Sequence, residues 1–107
     1  MDLHKLATER SLAFHREIAR RLVRDPAVLE TSRRRVKDWQ SQTPDRRFVR
    51  EWDRILAGTA GSVAAFLVDR SELAEELRQS SPFAGVLDAR ERWDIWRETR
   101  KRIAGER

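Results

Sequence analysis

Histidine is the side-chain type that most readily exchanges a proton near neutral pH, and this 107-residue chain has two, His4 and His15. Eleven positions separate them. On one helix this spacing places both rings on nearly the same face but about 16 Å apart along the axis. The two rings cannot share a metal ion without a second contributor, so we expect two exposed histidines with no catalytic or metal-binding role. A small-molecule or enzymatic role between the helices that uses His15 is a further alternative.

Motifs that mark enzymes are missing from the sequence. It has no glycine-rich phosphate loop, no His-Glu-x-x-His pair and no Gly-x-Ser-x-Gly turn. The absence of cysteine excludes disulfides, thiolate zinc sites and cysteine nucleophiles. Most carboxylates alternate with arginines at helical spacing, as Glu17 does with Arg21, which is typical of a solvated, salt-bridged helix face. We therefore predict a non-enzymatic protein with no catalytic residues, no cofactor and no metal.

A basic cluster between positions 33 and 50 favours a different chemistry, the binding of phosphates. The stretch has seven basic residues against two acidic ones, and it includes Trp39 and Phe48. Such a cluster can follow a nucleic-acid backbone while an aromatic ring stacks on a base. Both aromatics also fall on predicted core-facing stripes, so nucleic-acid binding is the alternative function. The cluster comprises Arg33, Arg34, Arg35, Lys37, Arg46, Arg47 and Arg50.

The stretch from Ser80 to Arg97 indicates protein binding. It combines a turn, an apolar knot and a helix that carries two of the four tryptophans among several arginines. Tryptophan and arginine are the residue types most enriched at interface hot spots, and a rim of arginines would suit an acidic partner. Whether the indoles complete the core or remain partly exposed is left open by the pattern. The candidate partner-binding residues are Phe83, Arg90, Trp93, Trp96, Arg97 and Arg100.

The elements that must position these residues are all predicted to be helices. Apolar residues recur at helical spacing along most of the chain, and the short apolar run at 62–68 has no partner strand elsewhere. We predict an all-α protein, with a single compact bundle of five or six short-to-medium helices in one domain, residues 1–107. The predicted helices span residues 3–24, 26–40, 44–57, 62–68, 70–79 and 89–104.

Local signals set the ends of these helices. Polar caps followed by proline predict two helix starts, two Asp-x-x-Glu capping boxes predict two more, and one glycine is expected in the left-handed conformation after a helix. On the last helix the pattern favours burial of Trp93, Trp96 and Ile103, with partial exposure of an indole as the alternative. The helix-end signals are Asp25-Pro26, Thr43-Pro44, Asp69-x-x-Glu72, Asp88-x-x-Glu91 and Gly58, and a turn at 83–87 is expected to pivot on Gly85.

Net charge and hydropathy favour a water-soluble protein. The net charge is +5, and 20 of the 23 basic residues are arginines, which favours phosphate or carboxylate recognition but is also typical of a GC-rich genome. No apolar run approaches the ~20 residues that span a bilayer, and the first residues have no signal-peptide core. We expect a cytoplasmic protein with no membrane partner and an oligomeric state that the sequence leaves open.

Three segments carry a resemblance to a known group of proteins. They are LATERSLAFHREIARRL, which ends at Leu22, then REWDRIL, and LRQSSPFAGVLDARERWDIWR, which ends at Arg97. They resemble small helical bacterial proteins encoded beside nucleotidyltransferase-like genes in toxin–antitoxin-type operons. The resemblance implies an antitoxin-like companion that binds and restrains the enzyme encoded by the neighbouring gene, and it supplies no catalytic residues to transfer.

Overall fold

The computed structural model describes residues 2–105, so three positions of the predicted domain, 1, 106 and 107, lie outside the described residues. Helices account for all the regular secondary structure of the described chain, which confirms the predicted all-α fold. The six helices are α1 (Leu3–Leu22), α2 (Pro26–Gln42), α3 (Arg47–Leu56), α4 (Ala60–Leu67), α5 (Glu72–Arg78) and α6 (Ala89–Gly105).

The first helix is the central element of the bundle. Asp2 caps it by accepting hydrogen bonds from the backbone N–H groups of His4 and Lys5 at 3.0 and 3.1 Å. One side of α1 packs on α4 and another packs on α6, while α2 and α5 contact it less extensively. Because α1 is covered from several directions, its buried residues spread over more than one stripe; they are Leu6, Glu9, Leu12, His15, Ile18, Ala19 and Leu22.

The core is built around Trp52 on α3, whose side chain is completely buried. Its ring makes edge-to-face contacts with Phe66 on α4 and Phe83 in the α5–α6 connection, with centroids 5.8 and 6.0 Å apart. The indole N–H has no hydrogen-bond partner among the described residues. The core therefore depends on the shape and area of this ring rather than on its polar atom.

Two predicted helix starts are confirmed by their caps. Asp25 accepts a hydrogen bond from the backbone N–H of Ala27 at 3.0 Å, and Pro26 occupies the first turn of α2. At the second start, the Asp88 side chain accepts from Glu91 N at 2.8 Å, and the Glu91 side chain accepts from Asp88 N at 3.1 Å. The predicted capping box therefore begins α6.

Three other predicted starts are wrong. The third helix begins at Arg47 instead of 44, after a turn, and Arg46 before it supplies no side-chain cap. In the other two, Thr59 and Ser71 supply the caps, accepting from Ser62 at 3.1 Å and from Ala74 at 3.2 Å. Because of the Thr59 cap, α4 begins two residues before the predicted position 62. The Ser71 cap takes the place of the predicted Asp69-x-x-Glu72 capping box at the start of α5.

The two glycines with predicted roles behave differently. Gly58 does not adopt the left-handed conformation, which corrects that expectation; a Cβ there would instead lie 2.5 Å from Ser62 Oγ. Gly85 has a φ of +90°, as a pivot residue requires, and is the one described residue with positive φ. The turn after α5 therefore needs glycine for its backbone, whereas a side chain at position 58 would have to displace the Ser62 hydroxyl.

No helix among the described residues is both long enough and apolar enough to cross a bilayer.

Candidate interaction surface on the last helix

The start of α6 is fixed to α1 by one carboxylate. Glu91 of the capping box forms an ion pair with Arg21, whose guanidinium also donates to the backbone oxygen of Val86 at 3.0 Å. Arg21 in turn binds Glu17 at 3.1 Å. Both partners of the Arg21–Glu91 pair are about one third exposed or less, so the pair is shielded and positions the helix.

A second carboxylate fixes the other end of α6. Glu9 on α1 is 8% exposed and binds Arg70 at 2.8 Å and Arg102 of α6 at 3.5 Å. The hydrogen bond from Arg70 holds the pKa of Glu9 below its usual value, and Arg102 acts in the same direction. The sequence-based interpretation of the acids as solvated pairs missed this buried carboxylate, since its partners are distant along the chain.

The buried stripe of α6 differs from the predicted one. Thr99 and Ile103 are buried against α1, and Ile95 packs beside them, so the expected burial of Ile103 is confirmed. The expected burial of Trp93 is wrong, because its side chain is 55% exposed. Trp96 is only partly buried. Because α6 packs extensively on α1 alone among the described helices, it can bury only one stripe.

The two indoles instead form an outward platform. Trp93 and Trp96, one turn apart, stack with their ring centroids 5.1 Å apart and their planes inclined by 13°. The guanidinium of Arg100 lies 5.4 Å from the centre of the Trp96 ring, within cation–π distance. Three side chains at helical spacing therefore form one continuous stack on the surface of α6.

Charged residues surround this stack on the same side of the helix. A groove of about 560 Å³ runs along it. Arg97 makes a weak, exposed pair with Asp94 at 3.5 Å, while Arg100 and Lys101 form no ion pair with the described residues. The exposed Arg90 lies at the start of the same helix. We call this surface the tryptophan–arginine face; it comprises Trp93, Trp96, Arg97, Glu98, Arg100, Lys101 and Ala104.

Phe83 does not belong to this face. Its side chain is 2% exposed and lies in the core against Trp52, so its predicted place in a partner-binding surface is wrong. Its position at the turn before the last helix suggested exposure. Two hydrogen bonds fix the backbone of that turn. Ser81 Oγ accepts from Phe83 N at 3.3 Å, and Arg35 donates to Ala84 O at 2.8 Å. The turn is thereby held in a conformation that directs the Phe83 ring into the core.

The basic cluster of residues 33–50 is largely engaged in contacts within the chain. Arg33 donates to the carbonyls of Leu56 and Gly58 at 2.8 and 3.1 Å, and it thereby caps the end of α3. Most of the other members also use their charge within the chain. Arg35 binds Pro82 O and Ala84 O, Lys37 binds Asp53, Arg47 binds Glu76, Arg50 binds Asp45 O, Arg34 has a long contact to Thr31 at 3.4 Å, and Arg46 precedes α3.

The aromatics of that cluster are engaged with each other. Trp39 and Phe48 are partly buried and pack edge to face with centroids 5.5 Å apart. This arrangement agrees with their predicted place on core-facing stripes. Partial burial reduces the ring area that either residue could offer to a stacked base.

His15 is buried, which corrects the expectation that both histidines are exposed, whereas His4 is exposed. The Nδ1 of His15 lies 2.8 Å from the carbonyl oxygen of Ser11, so Nδ1 must carry the proton and donate it. Nε2 then accepts from Ser81 Oγ at 2.7 Å. Burial lowers the pKa of His15 to about 4, with a smaller contribution from the charge of Arg78, so the ring is neutral at pH 7.

Arg78 is a buried cation that the sequence did not single out. Its Nη1 donates to Asp69 O at 2.6 Å and to Leu67 O at 3.3 Å, at the negative end of the α4 dipole. Burial lowers its pKa from the usual arginine value. Its Nη2 is buried without a hydrogen-bond partner among the described residues. Arg78 therefore holds α4 against α5.

No group of three or more potential metal ligands occurs within residues 2–105. Comparisons of the chain with protein-family models, with curated proteins and with solved structures give no significant match.

Proposed function

We propose that this chain is a non-enzymatic, antitoxin-like interaction module that binds and restrains a partner enzyme in the bacterial cytoplasm. The tryptophan–arginine face supplies the docking surface. The single observation that carries the proposal is the stacked pair of Trp93 and Trp96 on the outer side of α6, where 55% of the Trp93 side chain remains exposed. An exposed stack of this size is costly in water and gains free energy when a partner covers it.

The charges around the stack favour an acidic partner surface. Arg100 and Lys101 carry positive charge with no ion pair in the described chain, and Arg97 has only the weak pair with Asp94. Carboxylates on the partner would neutralise these charges while apolar side chains cover the indoles. We propose that the partner is the nucleotidyltransferase-like enzyme of the neighbouring gene, as the sequence resemblance implies.

The geometry favours a protein partner over a nucleic acid. Most members of the basic cluster at 33–50 already bind carbonyls or carboxylates of this chain, and its aromatics pack on each other. A phosphate backbone that contacted Lys37 or Arg47 would have to displace their ion pairs, whereas Arg35 keeps N–H groups that form no hydrogen bond with the described residues.

Co-expression with the neighbouring gene product, followed by affinity purification, tests the proposal. We expect wild-type protein to co-purify with the enzyme and to relieve its toxicity, and Trp93→Ala or Arg100→Glu to weaken binding by about tenfold or more. Arg54→Glu is the matched control, because Arg54 is an exposed arginine on α3 that pairs with Glu51 at 2.6 Å.

Two outcomes would contradict the proposal. The antitoxin-like role is lost if the two proteins never co-purify and the neighbouring enzyme is harmless alone. The docking surface is misplaced if Trp93→Ala and Arg100→Glu bind as well as Arg54→Glu. Circular dichroism of each variant verifies that the helices are intact.

A further inference from the structure

A groove with arginine walls lies where α1 ends, α2 begins and the turn at 84–86 packs beside them. Its volume is about 850 Å³, within the range usual for small-molecule sites. Alanine and valine side chains from α2 and from the turn form its apolar part. Arg20, Arg21, Arg24 and Arg35 line it.

Arg35 is held in this groove without a carboxylate partner. Its Nη1 donates to Pro82 O at 3.0 Å and to Ala84 O at 2.8 Å. These bonds orient the guanidinium against the turn, while Nε and Nη2, which carry further N–H groups, form no hydrogen bond with the described residues. An oriented guanidinium with unused donors is well suited to an oxyanion.

Arg24 adds a second unmatched charge. It forms no ion pair with the described residues and is exposed at the end of α1. Arg20 and Arg21 differ, because Glu17 binds both of them and Glu91 binds Arg21. The hydrogen bond from Arg20 lowers the pKa of Glu17 to about 2, so that carboxylate continues to pair with the two arginines well into the acid range.

Asp25 is the carboxylate that lines the groove. Its side chain accepts from Ala27 N at 3.0 Å as the cap of α2, where the positive end of the helix dipole partly offsets its charge. It nevertheless reduces the attraction of the groove for an anion. Its replacement by asparagine would keep the cap and remove the charge.

We propose that this groove binds a small molecule that carries a phosphate monoester on an apolar body. A phosphate monoester has a charge of about −1.5 to −2 near pH 7 and three acceptor oxygens, which matches the two arginines without carboxylate partners. A carboxylate supplies one charge only. The alanine and valine part of the groove receives the apolar body. This site is separate from the tryptophan–arginine face and does not depend on the proposed docking function.

Calorimetric titration of the full chain with phenyl phosphate tests this proposal. We expect saturable 1:1 binding, tighter than that of inorganic phosphate, which lacks the apolar body. Arg24→Gln and Arg35→Gln should each weaken the binding by about tenfold, and Asp25→Asn should tighten it severalfold. Arg54→Gln, which removes an exposed arginine on α3, should leave it unchanged.

Arg24→Gln and Asp25→Asn are the decisive variants, because Arg35→Gln also removes hydrogen bonds that hold the turn. The proposal is overturned if phenyl phosphate does not bind, or if both decisive variants bind it as the wild type does. It is also overturned if inorganic phosphate binds equally tightly. Displacement of phenyl phosphate by a tighter-binding single-stranded oligonucleotide would assign the groove to nucleic acid instead.

Discussion

His15 on α1 accepts a hydrogen bond from Ser81 in the α5–α6 connection, with 2.7 Å between Nε2 and Oγ, although 66 positions separate the two residues. The Ser81 oxygen also accepts from Phe83 N at 3.3 Å. One hydroxyl thus joins the first helix to the turn that places Phe83 in the core. The bond resembles a serine–histidine pair, but its role is to fix that connection.

Loss of the Ser81 hydroxyl should destabilise the fold. In Ser81→Ala the buried Nε2 of His15 has no donor, so we expect the free energy of unfolding to fall by about 1–2 kcal/mol. Urea unfolding measures the change. Ser80→Ala is the control and should alter stability by less than about 0.5 kcal/mol. Equal effects of the two substitutions would show that the hydrogen bond contributes nothing.

Acid should destabilise the protein through His15. Burial lowers the pKa of His15 to about 4 in the folded state from a usual value of 6.5, so between these values the unfolded chain binds the additional proton. Stability is therefore retained above pH 6.5 and falls as the pH drops toward 4, by about 2 kcal/mol at pH 5 relative to pH 7.5.

His15→Gln isolates this effect. It lowers stability at neutral pH but removes the titrating group, so its unfolding free energy should change little between pH 7.5 and 5. Glu9 and Glu17 have lowered pKa values, and their contributions are lost only at more acidic pH. Urea titrations at both pH values provide the measurement. If the unfolding free energy of His15→Gln falls between pH 7.5 and 5 as much as that of the wild type, His15 is excluded as the source of the pH dependence.

Truncation of two tryptophans should lower the stability by very different amounts. Trp52→Ala empties the centre of the core and should cost about 3–5 kcal/mol of stability, whereas Trp93→Ala should cost less than about 1 kcal/mol because the ring is exposed. Unfolding followed by far-ultraviolet circular dichroism compares them without relying on tryptophan fluorescence. A large loss in Trp93→Ala would mean that this indole supports the fold and is not reserved for a partner.

Two glycines provide a test of backbone conformation alone. A Cβ at Gly85 or at Gly61 would meet no atom within 4 Å, so added bulk is not the difference between them. Gly85→Ala must adopt a φ of +90° and should cost about 1–2 kcal/mol. Gly61→Ala lies in α4 and should be neutral or stabilising by up to about 1 kcal/mol. In thermal unfolding, the midpoint temperature of Gly85→Ala should fall. That of Gly61→Ala should rise or stay unchanged.

The sequence alone determined the features that depend on neighbours along the chain. The helical pattern, the Asp25-Pro26 start of α2 and the capping box of Asp88 and Glu91 all act within about four residues. Even locally, competing hydroxyls were underestimated, since Ser71 rather than Asp69 caps α5. Both residue types make good caps, and only the path of the chain decides between them.

Tertiary structure alone decided which faces are covered. On α6 the stripe of Trp93 and Trp96 is more aromatic than that of Ile95, Thr99 and Ile103, so composition favoured burial of the wrong side. The helix packs extensively on α1 only, and one neighbour buries one stripe, which leaves the indoles outside. For the same reason His15 and Phe83 are buried by residues more than 60 and 30 positions away, Ser81 and Trp52, which local periodicity cannot register.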